Sequence, residues 1–147
     1  MSESIVVGTD GSETAARAVD EAVRLAKALG ADIHVVSGYE PVRGARVTGA
    51  PEGAAKVWAP LPDTFVNSIV EQAAASVRTR GVNVHGHAVE NDPADALLTI
   101  AEEVGASMIV VGSKGMQGAK RFVLGSVANK VSHHARCNVV IVSTGAG

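Results

Sequence analysis

Five short apolar runs punctuate this chain, and each is separated from the next by a segment with helical periodicity. Each run is too short for a helix and has the length of a buried strand. The runs fall at residues 5–9, 33–37, 82–89, 107–112 and 138–143. Between them, Ala15, Ala18, Val19, Ala22, Val23, Ala26 and Leu29 form one apolar stripe, and Val66, Ile69, Val70, Ala73, Ala74 and Val77 form another. Strand–helix alternation of this kind predicts an α/β fold with a parallel sheet covered by helices on both faces. The 147 residues suffice for one core, so residues 1–147 read as a single domain.

The helix ends carry their own signals. Ser12 is placed to cap the first helix, and Gly30 to stop it. The second helix is expected over residues 63–80, with Gly81 closing it. Asp92-Pro93 puts a capping side chain before a proline at the first helical position, and Gly105 ends that helix. A last helix is expected over residues 126–136. From residue 40 to 61 the pattern fails, with Pro41, Pro51 and Pro60 among its residues. A stretch this long without periodicity is read as a mobile loop.

Composition narrows the function. Aromatic residues are Tyr39, Trp58, Phe65 and Phe122 alone. That is few stacking platforms for single strands, and with a net charge of −2 it argues against nucleic-acid binding. One cysteine, Cys137, excludes an internal disulfide and suits a reducing, cytoplasmic location, with the thiol read as buried and inert. No basic leader precedes the first apolar run, and no apolar stretch has membrane-spanning length. Charge is asymmetric: all fifteen carboxylates lie in residues 1–103, whereas Lys114, Lys120, Arg121, Lys130 and Arg136 follow without one. This reads either as solvated basic faces or as an anion site in the last third.

In an open doubly wound sheet, ligands bind beyond the carboxyl ends of the strands where the strand order reverses. For an order 3-2-1-4-5 the turns there are Thr9-Asp10-Gly11-Ser12 and Gly112-Ser113-Lys114-Gly115. After the second turn come nine residues and then Gly125-Ser126. Glycines let backbone N–H groups approach a phosphate, and a helix opening at Ser126 adds its free donors and positive end. Gly112 and Gly115 also suit a plain tight turn, and Gly125-Ser126 a plain helix start. The patterns GxxxxGK[ST] and, after the first strand, GxGxxG are absent.

The spacing G-x2-G-x9-G-[ST], the opening from Ile5 to Glu13 and the ending Gly125-Ser126-Val127-Ala128 with Asn138-Val139-Val140-Ile141-Val142 resemble the universal stress protein family, in its ATP-binding branch. The resemblance spans the chain. It implies a three-layer, open, doubly wound five-stranded parallel sheet of order 3-2-1-4-5, of the adenine nucleotide alpha hydrolase-like type. It implies ATP with Mg²⁺ as ligands. Gly112, Gly115, Gly125 and Ser126 would hold phosphates, Asp10 would sit near the ribose and metal, and main chain near Gly38 would meet the adenine beside Val111. Thr9, Lys114 and Val127 complete the candidate set. It also implies a cytoplasmic stress-response or signalling homodimer, paired through Val139, Val140, Ile141 and Val142, whose protein partner is unspecified.

Asp10 has two readings, as metal or ribose ligand and as helix cap; Ser12 being available as the cap favours the first. Lys114 and Arg121 suit either phosphate contact or a solvated loop. His85 and His87 share one face of the third strand. With no third ligand in view, they read as surface residues. His133 and His134 read as partners of a helix C-terminus. Trp58 lies in the 40–61 loop and suits either an adenine cover or a dimer contact. Three functions remain: a nucleotide-dependent signalling protein, a slow ATPase using Asp10 and Mg²⁺, and a module binding AMP, cyclic AMP or a partner. Glu40 and Asp92 are the only further carboxylates considered for orienting water, so a dedicated enzyme is not expected.

Overall fold

The computed structural model describes residues 3–39, 61–113 and 124–143. Strand β1 (Ser4–Gly8) runs parallel to β2 (Asp32–Tyr39) on one side and to β4 (Met108–Gly112) on the other. Strand β3 (Val84–Glu90) extends the sheet beyond β2, and β5 (Asn138–Val142) extends it beyond β4. The order is β3-β2-β1-β4-β5, all parallel, as expected. The connections pass through α1 (Glu13–Leu29), α2 (Leu61–Arg78), α3 (Pro93–Val104) and α4 (Ser126–His134).

Successive strand residues point to opposite faces, and here both faces are buried. Ile5, Val7, Ile33, Val35 and Val110 pack with Ala18, Val19, Ala22, Val23 and Ala26 of α1 and with Val77 of α2. Val6, Val36, Ile109 and Val111 pack on the other side with Leu97 and Ile100 of α3 and with Ala128 and Val131 of α4. The continuous apolar runs follow from this double burial. The outer strands β3 and β5 are the exceptions: their residues are exposed or only partly buried.

The caps form as read. Ser12 Oγ accepts the Ala15 N–H at 3.1 Å, and Gly30 ends α1 in the left-handed region at φ 67°. Asp92 Oδ2 accepts the Ala94 and Asp95 N–H groups ahead of Pro93. Several boundaries move. β2 gains a residue before and two after the expected 33–37, because pairing with β3 continues to Tyr39–Glu90. β3 starts at Val84 rather than at residue 82. α2 begins at Leu61, inside the segment expected to be a loop, and ends at Arg78. α4 ends at His134 because Ala135 is extended. Residues 40–60, Trp58 included, lie outside the described residues. Among the described residues no helix is long and apolar enough to cross a membrane.

Ile33 is fully buried at the centre of this packing. Ile33→Ala is expected to cost about 2–5 kcal/mol of stability, as large-to-small core changes do. Urea unfolding checks it; a loss under about 1 kcal/mol would mean that the strand is less tightly packed than described.

Candidate functional site

β1 has α1 leaving it on one face of the sheet, while β4 leads on to α4 on the other. Their loops part at the carboxyl ends of the strands, and a cleft of about 180 Å³ opens there. Its walls come from the ends of β1, β2 and β4 and from the first turns of α1, α3 and α4. Thr9, Asp10, Gly38, Val111, Gly112, Gly125, Ser126 and Val127 all line it. Lys114 and Gly115 lie outside the described residues, as do Glu40, Lys120 and Arg121.

Three helix N-termini therefore face one cavity, and their chemistry differs. α1 is capped by the Ser12 hydroxyl and α3 by the Asp92 carboxylate. α4 starts at Gly125, which offers no side-chain cap, and has no acidic residue in its first turn. The first N–H groups of a helix have no partner within it. At α4 these belong to Ser126, Val127 and Ala128, all on the cleft wall. The helix start is fixed in place: the Gly125 N–H donates to the Ser113 carbonyl at 2.8 Å, and the Ser113 N–H donates to the Val142 carbonyl at 2.8 Å. Of the three termini, α4 is the one suited to an anion.

Opposite it, the β1–α1 turn is held by its own side chains. Thr9 Oγ1 accepts the Gly11 N–H at 3.1 Å. Asp10 Oδ1 accepts both the Ser12 N–H at 3.0 Å and the Ser12 hydroxyl at 2.5 Å. Asp10 thus braces the capping serine rather than capping α1 itself. Its second oxygen takes no hydrogen bond among the described residues. Gly11 adopts φ +84°, where a side chain would be strained.

The far end of the cleft is apolar: Val36 of β2, Pro93 and Leu97 of α3, and Val111 of β4. Gly38 closes this end. A Cβ there would stand 2.7 Å from Pro93 Cα and 2.9 Å from the Asn91 carbonyl oxygen. Only glycine lets β2 pass this close to the start of α3. Val36, Ser37, Pro93 and Leu97 were not among the residues picked from sequence. The signal was available in part, because Pro93 opens a helix directly after a strand, which puts it at the carboxyl edge of the sheet.

The basic residues of the last third divide. Lys130 Nζ lies 3.1 Å from Asp95 Oδ1 and 3.4 Å from Asp92 Oδ2, tying α4 to the start of α3. The hydrogen bond to Asp95 is the main reason that its ammonium holds its proton more tightly than usual. Arg136 pairs with Glu102 at 3.7 Å. Both cations thus answer α3 carboxylates. Cys137 is half-buried rather than buried as read, and what burial it has pushes its thiol up. The His133 ring Nδ1 lies 2.8 Å from the Asn129 carbonyl, one turn back in α4. His85 and His87 lie on a surface strand as read, His85 exposed and His87 half-buried, but they have a neighbour that the sequence did not reveal. His34 on β2 stacks on both rings.

The fold and cleft define a doubly wound α/β domain with a cleft at its switch point and one uncapped helix terminus turned into it. Comparison with known proteins makes the assignment specific. The family model described as "Universal stress protein family" matches residues 1–143, and the chain belongs to that family. Universal stress protein YxiE of Bacillus subtilis is 34% identical over 154 residues, covering 97% of this chain and 99% of its own. A universal stress protein crystallised with cAMP superposes with a TM-score of 0.73 at 29% identity, covering 98% of both chains. An Archaeoglobus fulgidus universal stress protein in complex with dAMP gives 0.66 at 25% identity, covering 95% of this chain and 96% of that one.

The α3 cap and the Lys130 ion pairs predict unequal costs. Asp92→Ala should lose about 1 kcal/mol of stability, since it strips a capping acceptor. Lys130→Ala, which breaks only half-exposed ion pairs, should lose less than Asp92→Ala. Chemical denaturation of the two variants checks the ranking.

Proposed function

We propose that this chain binds an adenine nucleotide, with ATP as the ligand, and serves as a nucleotide-dependent stress-response protein. The observation that carries the reading is the uncapped, acid-free N-terminus of α4 in a cleft where the other two helix termini are already capped. Phosphate would meet the N–H groups of Ser126, Val127 and Ala128 and the main chain at Gly112. The base would lie in the apolar end, against Val36, Leu97 and Val111, with Gly38 leaving room for main-chain contact. The complexes of relatives with cAMP and dAMP support an adenine ligand.

Mg²⁺ binds through one or two carboxylates plus substrate phosphates. Asp10, with one oxygen engaged by Ser12, fits such a shared site: it would contribute one ligand and the nucleotide the others. Hydrolysis needs more than this. Among the described residues Asp10 is the only carboxylate on the cleft wall, and Asp92 is committed to the α3 cap and Lys130. Turnover is therefore expected to be slow or nil. A homodimer paired through β5 belongs to the same reading. β5 ends the sheet, Ile141 is 37% exposed, and an apolar edge strand favours pairing.

Gly125→Asp tests the phosphate site. An aspartate at the N-cap satisfies the free donors of α4 and stabilises the helix by a few tenths of a kcal/mol relative to glycine, about 0.3 kcal/mol. It also sets a negative charge where phosphate would sit. Equilibrium titration should show Mg-ATP binding weakened at least about tenfold, equivalent to about 1.4 kcal/mol, with adenosine binding little changed. Equal loss of both ligands in a folded variant would place the phosphate elsewhere. For the dimer, sedimentation velocity should give a two-chain species that Ile141→Lys dissociates; a monomeric wild type at high concentration would refute it.

A further inference from the structure

β3 is an outer strand of the sheet, and His85 and His87, two residues apart, share the face of it that looks toward α3. β2 sets His34 on that face, in register with His85, while Val36 is in register with His87. The three rings stack. His34 and His85 centroids are 4.8 Å apart at an interplanar angle of 21°, and His34 and His87 are 5.2 Å apart at 25°. His34 Nδ1 and His87 Nε2 lie 2.9 Å apart, within hydrogen-bond distance. His34 is only 9% exposed, His87 is half-buried and His85 is exposed.

Such a nitrogen–nitrogen bond needs one N–H and one lone pair. It forms when both rings are neutral or when one is charged. Two imidazolium rings would turn N–H against N–H at the same place, with no bond and with like charges in contact. Among the described residues no group of three or more His, Cys, Asp or Glu is arranged to hold a metal.

We propose that His34, His85 and His87 form a proton-operated latch between β2 and β3, closed while His34 and His87 share one bridging proton and opened when mild acid charges both rings. The latch is independent of the nucleotide reading. The surrounding groups set its range. Burial, then the charges of His87 and His85, hold His34 below the usual histidine value, and Asp32 on β2 opposes this. Burial, then His85, does the same to His87, opposed by Glu103 of α3. β1 offers only Val6 beside His34. Both rings thus bind protons less readily in the folded chain than in the unfolded one. Their stabilising effect is full above the unfolded value of about 6.5. It is lost as pH falls from there through the depressed folded values.

Thermal unfolding of the full chain at pH 7.5 and 5.5 reads the latch. Wild type should lose about 4 °C more than His87→Gln over that interval, whereas His134→Gln, at the far end of α4, should behave as wild type. A His87→Gln variant that loses as much as wild type overturns the proposal. If that variant fails to fold, NMR titration of the ring protons decides. The His34 and His87 midpoints should lie below the usual value and rise in His85→Gln; midpoints at the usual value, or unmoved by His85→Gln, overturn it.

Discussion

The position of β1 governs everything else in this molecule. It is the one strand with helices packed over both faces and a parallel neighbour on each side whose connections run in opposite directions. Ile5, Val6 and Val7 are fully buried, so the strand has no freedom to shift. Because α1 packs on one face and α4 on the other, the loops after β1 and β4 cannot close over each other. The cleft is a consequence of how the chain is wound.

What the cleft can hold depends on how each helix start is finished. Serine and aspartate occupy the donors of α1 and α3, and glycine leaves those of α4 free. The same residue types that stop or start helices elsewhere in the chain thus decide which terminus is available to an anion. Lys130 contributes indirectly. By bridging Asp92 and Asp95 it offsets part of the acidic charge at the start of α3 and links it to α4.

Much of this was legible in the sequence because it is local. Strand runs, helix stripes, the Ser12 and Asp92 caps and the Gly30 and Gly105 stops each depend on a few neighbouring residues. The spacing from Gly112 to Ser126 pointed to the cleft for the same reason; eight of the ten residues named line it, Gly38 and Val111 among them having come only from the family resemblance. What stayed hidden is contact between distant segments. Gly38 is required by Asn91 and Pro93, more than fifty residues on, and nothing near Gly38 announces it. His85 and His87 read as a lone pair because period-two alternation reveals a face but not the strand beside it; register with β2 supplied His34. Asp10 offered two roles in sequence, and its bonds to Ser12 show how it fills a structural role with one oxygen.

The central claim is that the start of α4 receives the phosphates of an adenine nucleotide, and amide NMR of the isotopically labelled chain tests it most directly. On addition of Mg-ATP, the largest amide shifts should fall on Ser126, Val127, Ala128 and Gly112, with smaller ones at Val36 and Gly38. Shifts confined to α2, around Ile69 and Ser76, with the α4 amides unmoved, would contradict it.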